Sequence, residues 1–259
     1  MPETQQHQNP RSRPNVLVLF DVDGTLTASR KCITPQMLQV LQRLKQITYI
    51  GFVGGSDLAK QQEQLGQDCT QFFDFSFSEN GATAFKNGQL LSQESFLSYL
   101  GESKYTQLVN YLLRYIADLD IPKKRGTFIE FRNAMINVSP IGRNCTYEER
   151  CEFEQYDKQH GIRTKMCYDL ERAFGHFNLK YSIGGQISID IFPQGWDKTF
   201  CLNHLQHESF EQIHFFGDKI VEGGNDWEIA NHPQVIPHCT PNPESTAKMI
   251  EELFLSGGQ

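Results

Sequence analysis

Val16-Leu17-Val18-Leu19-Phe20-Asp21-Val22-Asp23-Gly24-Thr25 is the stretch from which the fold follows. Four aliphatic residues and a phenylalanine in a row suit a strand buried on both faces, as in a parallel sheet. The run breaks off into Asp-x-Asp-Gly-Thr, so both acids leave the carboxyl end of that strand, where open α/β sheets bind their ligands. A carboxylate there, Asp21, is open to substrate and held on a rigid support, which suits a nucleophile. Gly24 lets the backbone turn, and Asp23 can then face the same reacting oxygen as a general acid and base. A solvated turn after a core strand is the plain alternative, since Asp and Gly are ordinary turn residues. The apolar run ahead of the acids favours the active centre.

Outward from this strand the pattern alternates. Thr34-Pro35 supplies an N-cap and a proline at the first helical position, Met37, Leu41 and Leu44 recur at helical spacing, and residues 49–53 read as a second strand. That strand runs into Gly54-Gly55-Ser56-Asp57, whose N–H groups and hydroxyl suit phosphate oxygens as well as they suit a plain turn. A short helix (57–65), a third strand (72–77) and a hairpin around Asn87-Gly88 follow. Near residue 92 the character changes, to one long helical pattern ending near 119, strands at 127–131 and 135–138, helices at 146–159 and 163–174, and strands at 179–183 and 186–192. Paired strands and paired helices imply an antiparallel α+β domain. From Trp196 the alternation resumes, with a helix from 197, a strand at 212–216, a short helix, a short strand near Val235 and a final helix to 255. The expectation is a parallel α/β core, 15–91 with 194–259, interrupted by an inserted domain at 92–193 and preceded by a loose tail at 1–14.

Composition bounds the function. At 259 residues the chain suffices for one large α/β domain or two modest ones, and 39% hydrophobic with 21% charged residues is the balance of a soluble globular protein. No apolar run approaches the ~18 residues of a membrane span. The polar start MPETQQHQNPRSRP lacks the apolar region of a signal peptide, so a cytoplasmic location is expected. Seven cysteines without a Cys-x-x-Cys pair argue against a disulfide framework and a zinc site. A formal charge of −7 disfavours a general nucleic-acid binder.

The later segments carry further chemistry. Phe215-Phe216-Gly217-Asp218 repeats the strand-then-acid ending, followed by Gly223-Gly224-Asn225-Asp226. Mg²⁺ takes hard oxygen ligands, commonly one or two carboxylates, and Asp21, Asp218 and the Asp23 backbone carbonyl suffice for it. Lys198, at the start of a helix in the resumed core, is placed to offset charge on a phosphoryl group and the nucleophile together; a surface lysine is the ordinary alternative. In the inserted region Arg132, Arg143 and Arg150 suit bidentate phosphate binding, or a solvated face with ordinary ion pairs. Ser188 and Asp190 share one face of the last inserted strand and could hold sugar hydroxyls, with Ile187, Ile189 and Ile191 turned to the core.

With these residues assembled, the chain resembles the haloacid dehalogenase superfamily of aspartyl phosphotransferases and, within it, the eukaryotic phosphomannomutase family. The wording that carries the likeness is FDVDGTLT, VGGSD, ENG, GTFIEFRN, NVSPIGR, EER, SIGGQIS, GWDK, and FFGDK with GGND, spread over residues 14–255. The resemblance implies a Rossmann-like core with an inserted cap, Mg²⁺ dependence, a cytosolic homodimer joined through caps, and interconversion of mannose 6-phosphate and mannose 1-phosphate for GDP-mannose synthesis. It assigns Asp21 as nucleophile, Asp23 as acid and base, Asp218 to the metal, and Arg30, Arg132, Arg143, Arg150, Ser188 and Asp190 to the sugar phosphate. A hexose 1,6-bisphosphate then serves as activator by phosphorylating Asp21. The chain departs from the family twice: relatives tend to have an acid at the place of His232, which removes the support for a second cation site, and Gly54 stands where many superfamily members carry a threonine. Two rival readings use the same motifs: a sugar-phosphate phosphatase, in which water takes the place of the sugar hydroxyl, and a catalytically silent scaffold, which the intact Asp21, Asp23, Lys198 and Asp218 set disfavours.

Overall fold

In the computed structural model, which describes residues 11–256, the run Val16–Phe20 is strand β1 and is buried along its whole length. Its residues alternate between two cores. Val16, Val18 and Phe20 pack with Met37, Leu41 and Leu44 on one side; Leu17 and Leu19 pack with Leu202, Leu205 and Ile229 on the other. A strand covered on both faces has no solvent side, which is why its sequence shows no polar alternation.

Helix α1 (Pro35–Lys45) begins where Thr34 Oγ1 accepts from the N–H of Met37 at 3.2 Å. There follow β2 (Tyr49–Val53), α2 (Leu58–Leu65), α3 (Cys69–Phe72), β3 (Phe75–Ser78) and the hairpin β4 (Thr83–Lys86) and β5 (Gln89–Gln93). The segment expected as one strand at 72–77 is thus a helical turn that gives way to β3. The inserted segment contributes α4 (Phe96–Leu100), α5 (Glu102–Asp118), β6 (Ile129–Phe131), β7 (Ile136–Val138), α6 (Tyr147–His160), α7 (Ile162–Phe174), β8 (Leu179–Gly184) and β9 (Ser188–Pro193). Gly101, at φ 78°, divides the long helical pattern into α4 and α5, because an α-helix cannot continue through a left-handed residue. The segment from Lys198 to Leu205 is a 3₁₀ helix, and β10 (Gln212–Gly217), α8 (Trp227–Ala230), β11 (Val235–Cys239) and α9 (Pro243–Ile250) follow, with a π-helical turn at Glu251–Leu255 after α9.

The chain divides into two units. One contains the described residues through Gln93 together with those from Asp197 onward; the other is Glu94–Trp196. The first is built on a seven-stranded sheet in the order β11-β10-β1-β2-β3-β4-β5. The five strands from β11 to β3 in that order run parallel, and β4 and β5 are antiparallel. The chain leaves β1 toward β2 on one side and returns at β10 on the other, so the carboxyl end of β1 is the switch point where such sheets form a ligand crevice. The second unit is an antiparallel sheet in the order β6-β7-β9-β8. One face of it packs Ile136, Ile189 and Ile191 against Leu112, Met166 and Leu170 of α5 and α7.

The expected loose tail at 1–14 falls partly outside the described residues, which begin at Arg11. Arg11 is tied down: its Nε donates to the Lys45 carbonyl at 3.0 Å, its Nη2 pairs with Asp74 at 2.7 Å, and its guanidinium lies 3.9 Å over the Tyr49 ring. All seven cysteines are free thiols.

Candidate active site

Asp21 is the first residue after β1, and its N–H donates to the Phe216 carbonyl of β10 at 2.9 Å, so the strand ladder itself fixes the carboxylate at the crevice. Lys198 Nζ donates to Asp21 Oδ1 and to Asp226 Oδ1. The lysine side chain is 1% exposed, that of Asp21 5% and that of Asp226 0%. Burial pushes the Asp21 carboxyl up to about 6, against the pull of the Lys198 cation. Burial works to lower Lys198, but the carboxylates of Asp21 and Asp226 outweigh it and hold the ammonium above its ordinary range.

Carboxylate oxygens of Asp21, Asp218 and Asp226 lie within 4.8 Å of one another. Asp218 Oδ1 is buried without a hydrogen-bond partner, and burial raises the Asp218 carboxyl. An orphaned buried carboxylate oxygen among hard acidic donors fits a divalent cation such as Mg²⁺, which would satisfy it. Two glycines make this approach possible. Gly24 has φ 88°, and a Cβ on it would sit 2.5 Å from Asp218 Oδ2; a Cβ on Gly217 would sit 2.7 Å from Asp226 Oδ2.

Asp226 has no role in the sequence reading, although its Gly-Gly-Asn-Asp motif is one of those that carry the resemblance. It is wholly buried, and its second oxygen accepts from the Lys219 N–H at 3.0 Å. Asp226 thus joins the two carboxylates expected at the metal, Asp21 and Asp218, while Asp23 is expected to offer only its backbone carbonyl. The Asp23 side chain turns away from the group, and its Oδ1 accepts from the Arg30 N–H at 2.7 Å and from Gln64 Nε2 at 2.9 Å. Arg30, at φ 61°, holds a left-handed conformation uncommon for its type.

Asp21, Asp23, Arg30, Gly54, Ser56 and Lys219 are among the residues lining one cleft of about 280 Å³. The Gly54 turn is held from the 3₁₀ turn that follows β3, with Asn80 N–H donating to the Gly54 carbonyl and Glu79 N–H to the Ser56 carbonyl, each at 2.9 Å. The absence of a threonine at position 54 has a steric cause: a Cβ there would lie 2.7 Å from Nε2 of the buried Gln61 and 3.2 Å from Val22.

In the second unit the remaining candidates separate. Arg132 Nε donates to Glu130 Oε2 at 2.9 Å, and Arg143 Nε pairs with Glu130 Oε1 at 3.3 Å, so one carboxylate brings these two arginines together. Arg143 Nη1 donates to Asn137 Oδ1, and Asn137 Nδ2 to Asp190 Oδ1, both at 2.6 Å. Burial raises the Asp190 carboxyl, opposed by Asn137 and the two arginines. Ser188 is buried two residues before Asp190 on β9; Ile189 and Ile191 pack into the sheet's apolar core as the alternation requires, whereas Ile187, just before the strand, packs with Ile141 and Phe153. Arg150 sits in the first turn of α6, half-buried and apart from the Glu130 and Asn137 bonds. Neither Glu130 nor Asn137 is singled out by the sequence; the signal was one polar residue inside each apolar strand, Ile-Glu-Phe and Ile-Asn-Val.

Comparison with known proteins extends the geometry. The family model described as eukaryotic phosphomannomutase matches residues 37–256. A phosphomannomutase of Dendrobium officinale is 57% identical over 243 residues, covering 94% of this chain and 96% of that one. One of Saccharomyces cerevisiae is 53% identical over 244 residues, with the same 94% and 96% coverage. Among solved structures, a haloacid dehalogenase-like hydrolase from Bacteroides thetaiotaomicron has a TM-score of 0.59 at 15% identity, over 92% of this chain and 99% of that one, a likeness that shows the fold. On a haloacid dehalogenase-like α/β fold, and more than half identical to these relatives over nearly all its length, the chain belongs to the eukaryotic phosphomannomutase family of enzymes.

Proposed function

We propose that the chain interconverts mannose 6-phosphate and mannose 1-phosphate through a phosphorylated Asp21. The observation that carries this reading is the pair of carboxylates in one cleft, Asp21 clamped by Lys198 and Asp23 two residues on. An Asp21 oxygen attacks phosphorus of a hexose 1,6-bisphosphate; the P–O bond to the sugar breaks, and Asp23 hands its proton to the departing oxygen. The phosphoryl group on Asp21 is then attacked by the free hydroxyl oxygen of a mannose monophosphate, Asp23 taking the proton as the bond to Asp21 breaks. The bisphosphate so formed turns end for end, and Asp21 attacks its other phosphorus, releasing the isomeric monophosphate and restoring the phosphorylated Asp21. The Lys198 cation offsets charge at the reacting centre throughout. Mg²⁺, held among Asp21, Asp218 and Asp226, would supply further charge neutralisation on the phosphoryl oxygens.

Arg30, Arg132, Arg143, Arg150, Ser188 and Asp190 bind the sugar phosphate, with Arg132, Arg143 and Arg150 holding whichever phosphate is idle. Two guanidiniums sharing Glu130 beside an Asp190 carboxylate offer donors for phosphate and an acceptor for sugar hydroxyls, which supports the assignment. Membership of the family supports the product's use in GDP-mannose synthesis and a homodimer formed through the second unit. Free thiols, and the lack of any helix among the described residues long and apolar enough to cross a membrane, support a cytoplasmic location.

The test follows isomerisation of mannose 1-phosphate and free phosphate together, with and without a trace of mannose 1,6-bisphosphate. Unprimed enzyme should lag and the bisphosphate should remove the lag, while Asp21→Asn should lose more than about 10⁴-fold in rate with its circular dichroism unchanged. Stoichiometric phosphate release without isomerisation under primed conditions would reject the mutase reading in favour of a phosphatase.

A further inference from the structure

The sheet of the second unit carries a polar row on the face opposite its apolar core. By register, Glu130 of β6 lies beside Asn137 of β7, Asn137 beside Asp190 of β9, and Asp190 beside Ser182 of β8. Asn137 is 4% exposed, in the middle of the row. Its orientation is dictated by its partners, since a guanidinium only donates and a carboxylate only accepts. The amide oxygen must therefore face Arg143, and the amide nitrogen must face Asp190. Both bonds are short, 2.6 Å, and each has one charged partner, the class of hydrogen bond that is shorter and stronger than a neutral one. Bridging with a neutral amide keeps Arg143 and Asp190 at a set distance without letting them neutralise each other in a direct ion pair. It uses one oxygen of Asp190 and one nitrogen of Arg143; with Glu130 on the Arg143 Nε, the second carboxylate oxygen and the Arg143 Nη2 are left to a ligand.

We propose that Asn137 is a positioning residue that couples the phosphate-binding guanidinium of Arg143 to the sugar-binding carboxylate of Asp190, so that a phosphosugar is read as one unit. This rests on the assignment of Arg143 and Asp190 to substrate under the proposed function. A ligand that orders Arg143 through its phosphate also orders Asp190 through the amide, and the two contacts then contribute more together than separately. An asparagine that only filled the core would affect stability and leave the two contacts independent.

The test is a double-mutant cycle on KM for mannose 1-phosphate, under primed conditions, with Arg143→Ala and Asp190→Ala made in the Asn137 chain and again in an Asn137→Ala chain. With Asn137 present, the double variant should depart from the product of the single effects by at least fivefold. With Asn137→Ala, the product should hold within twofold. Asn137→Ala alone should raise KM about tenfold and leave kcat within threefold. Thermal unfolding checks each variant, and Asn137→Ser, polar but too short to reach both partners, replaces Asn137→Ala if that chain does not fold. Coupling that persists in both Asn137 variants overturns the relay and leaves the substrate assignment standing. If neither Arg143→Ala nor Asp190→Ala moves KM, the substrate assignment falls and the relay with it.

Discussion

Replacing Lys198 by methionine isolates what the buried cation contributes. Methionine nearly fills the same volume, so the change removes charge and donors with little cavity. In the native protein Lys198 Nζ contacts Asp21 and Asp226, with side chains 1%, 5% and 0% exposed in that order. Removing one member of a buried ionic cluster leaves uncompensated charge and costs about 3–5 kcal/mol. For a chain of this size each kcal/mol lowers Tm by about 2–4 °C, so a fall of roughly 10 °C is expected at pH 8 in EDTA. The pH dependence is the sharper signature. The folded Asp21 carboxyl stands at about 6, above its ordinary 3.8, because burial outweighs Lys198. Loss of the lysine raises it further, so between pH 6 and 8 the folded variant binds a proton that the unfolded chain does not. Stability then falls as pH rises, by up to about 1.4 kcal/mol per unit for that proton. In the wild type this contribution is present below the unfolded value and already lost once pH has passed about 6, so Asp21 adds no slope from pH 7 to 8. Mg²⁺ should narrow the gap between variant and wild type by offsetting the same carboxylates. Differential scanning calorimetry from pH 6 to 8, with EDTA and with Mg²⁺, makes the measurement. A Tm within 2 °C of wild type at pH 8 in EDTA, with no added slope, would show that the triad is not the uncompensated cluster argued here.

Two further outcomes follow from local geometry. Gly24→Ala places a methyl group 2.5 Å from Asp218 Oδ2 at a backbone φ of 88°, so it should cost more than about 1 kcal/mol and weaken Mg²⁺ binding about tenfold or more, read by isothermal titration. Binding unchanged within twofold would remove Asp218 from the metal site. His214 Nδ1 lies 2.9 Å from His238 Nε2, and burial, then His238 and Arg13, lower His214 to about 4. The unfolded chain takes up that proton first, so this contribution is intact above about pH 6.5 and is lost as pH falls toward 4; discounted for a half-exposed ring it amounts to about 1 kcal/mol. His214→Phe should flatten the acid limb of a Tm against pH curve, and an unchanged limb would place the acid sensitivity elsewhere.

The sequence by itself determined the parts that depend on local periodicity and chain direction. The uniformly apolar Val16–Phe20 run ending in Asp21 and Asp23 reads as a doubly covered strand that delivers acids at its carboxyl end, and the switch of pattern near residue 92 marks a second sheet of different construction. Ser188 and Asp190 were legible as one face of a strand because side chains repeat every two residues. Tertiary structure alone decided which distant groups meet. Lys198 reaches Asp21 across 177 residues of chain, and Asp226 completes the carboxylate group because β10 lies directly beside β1. The sequence offered the Asp23 side chain as acid and base and its carbonyl to the metal; that the side chain is held by Arg30 N–H and Gln64 is visible only in the fold. Among the arginines, spacing put Arg132, Arg143 and Arg150 on the same footing, whereas the strand register joins only the first two through Glu130. Asn137 acquires its place only when β6, β7 and β9 align, because a cross-strand row has no counterpart along the chain. Periodicity records which way a residue faces, and pairing between strands far apart in sequence sets what it faces.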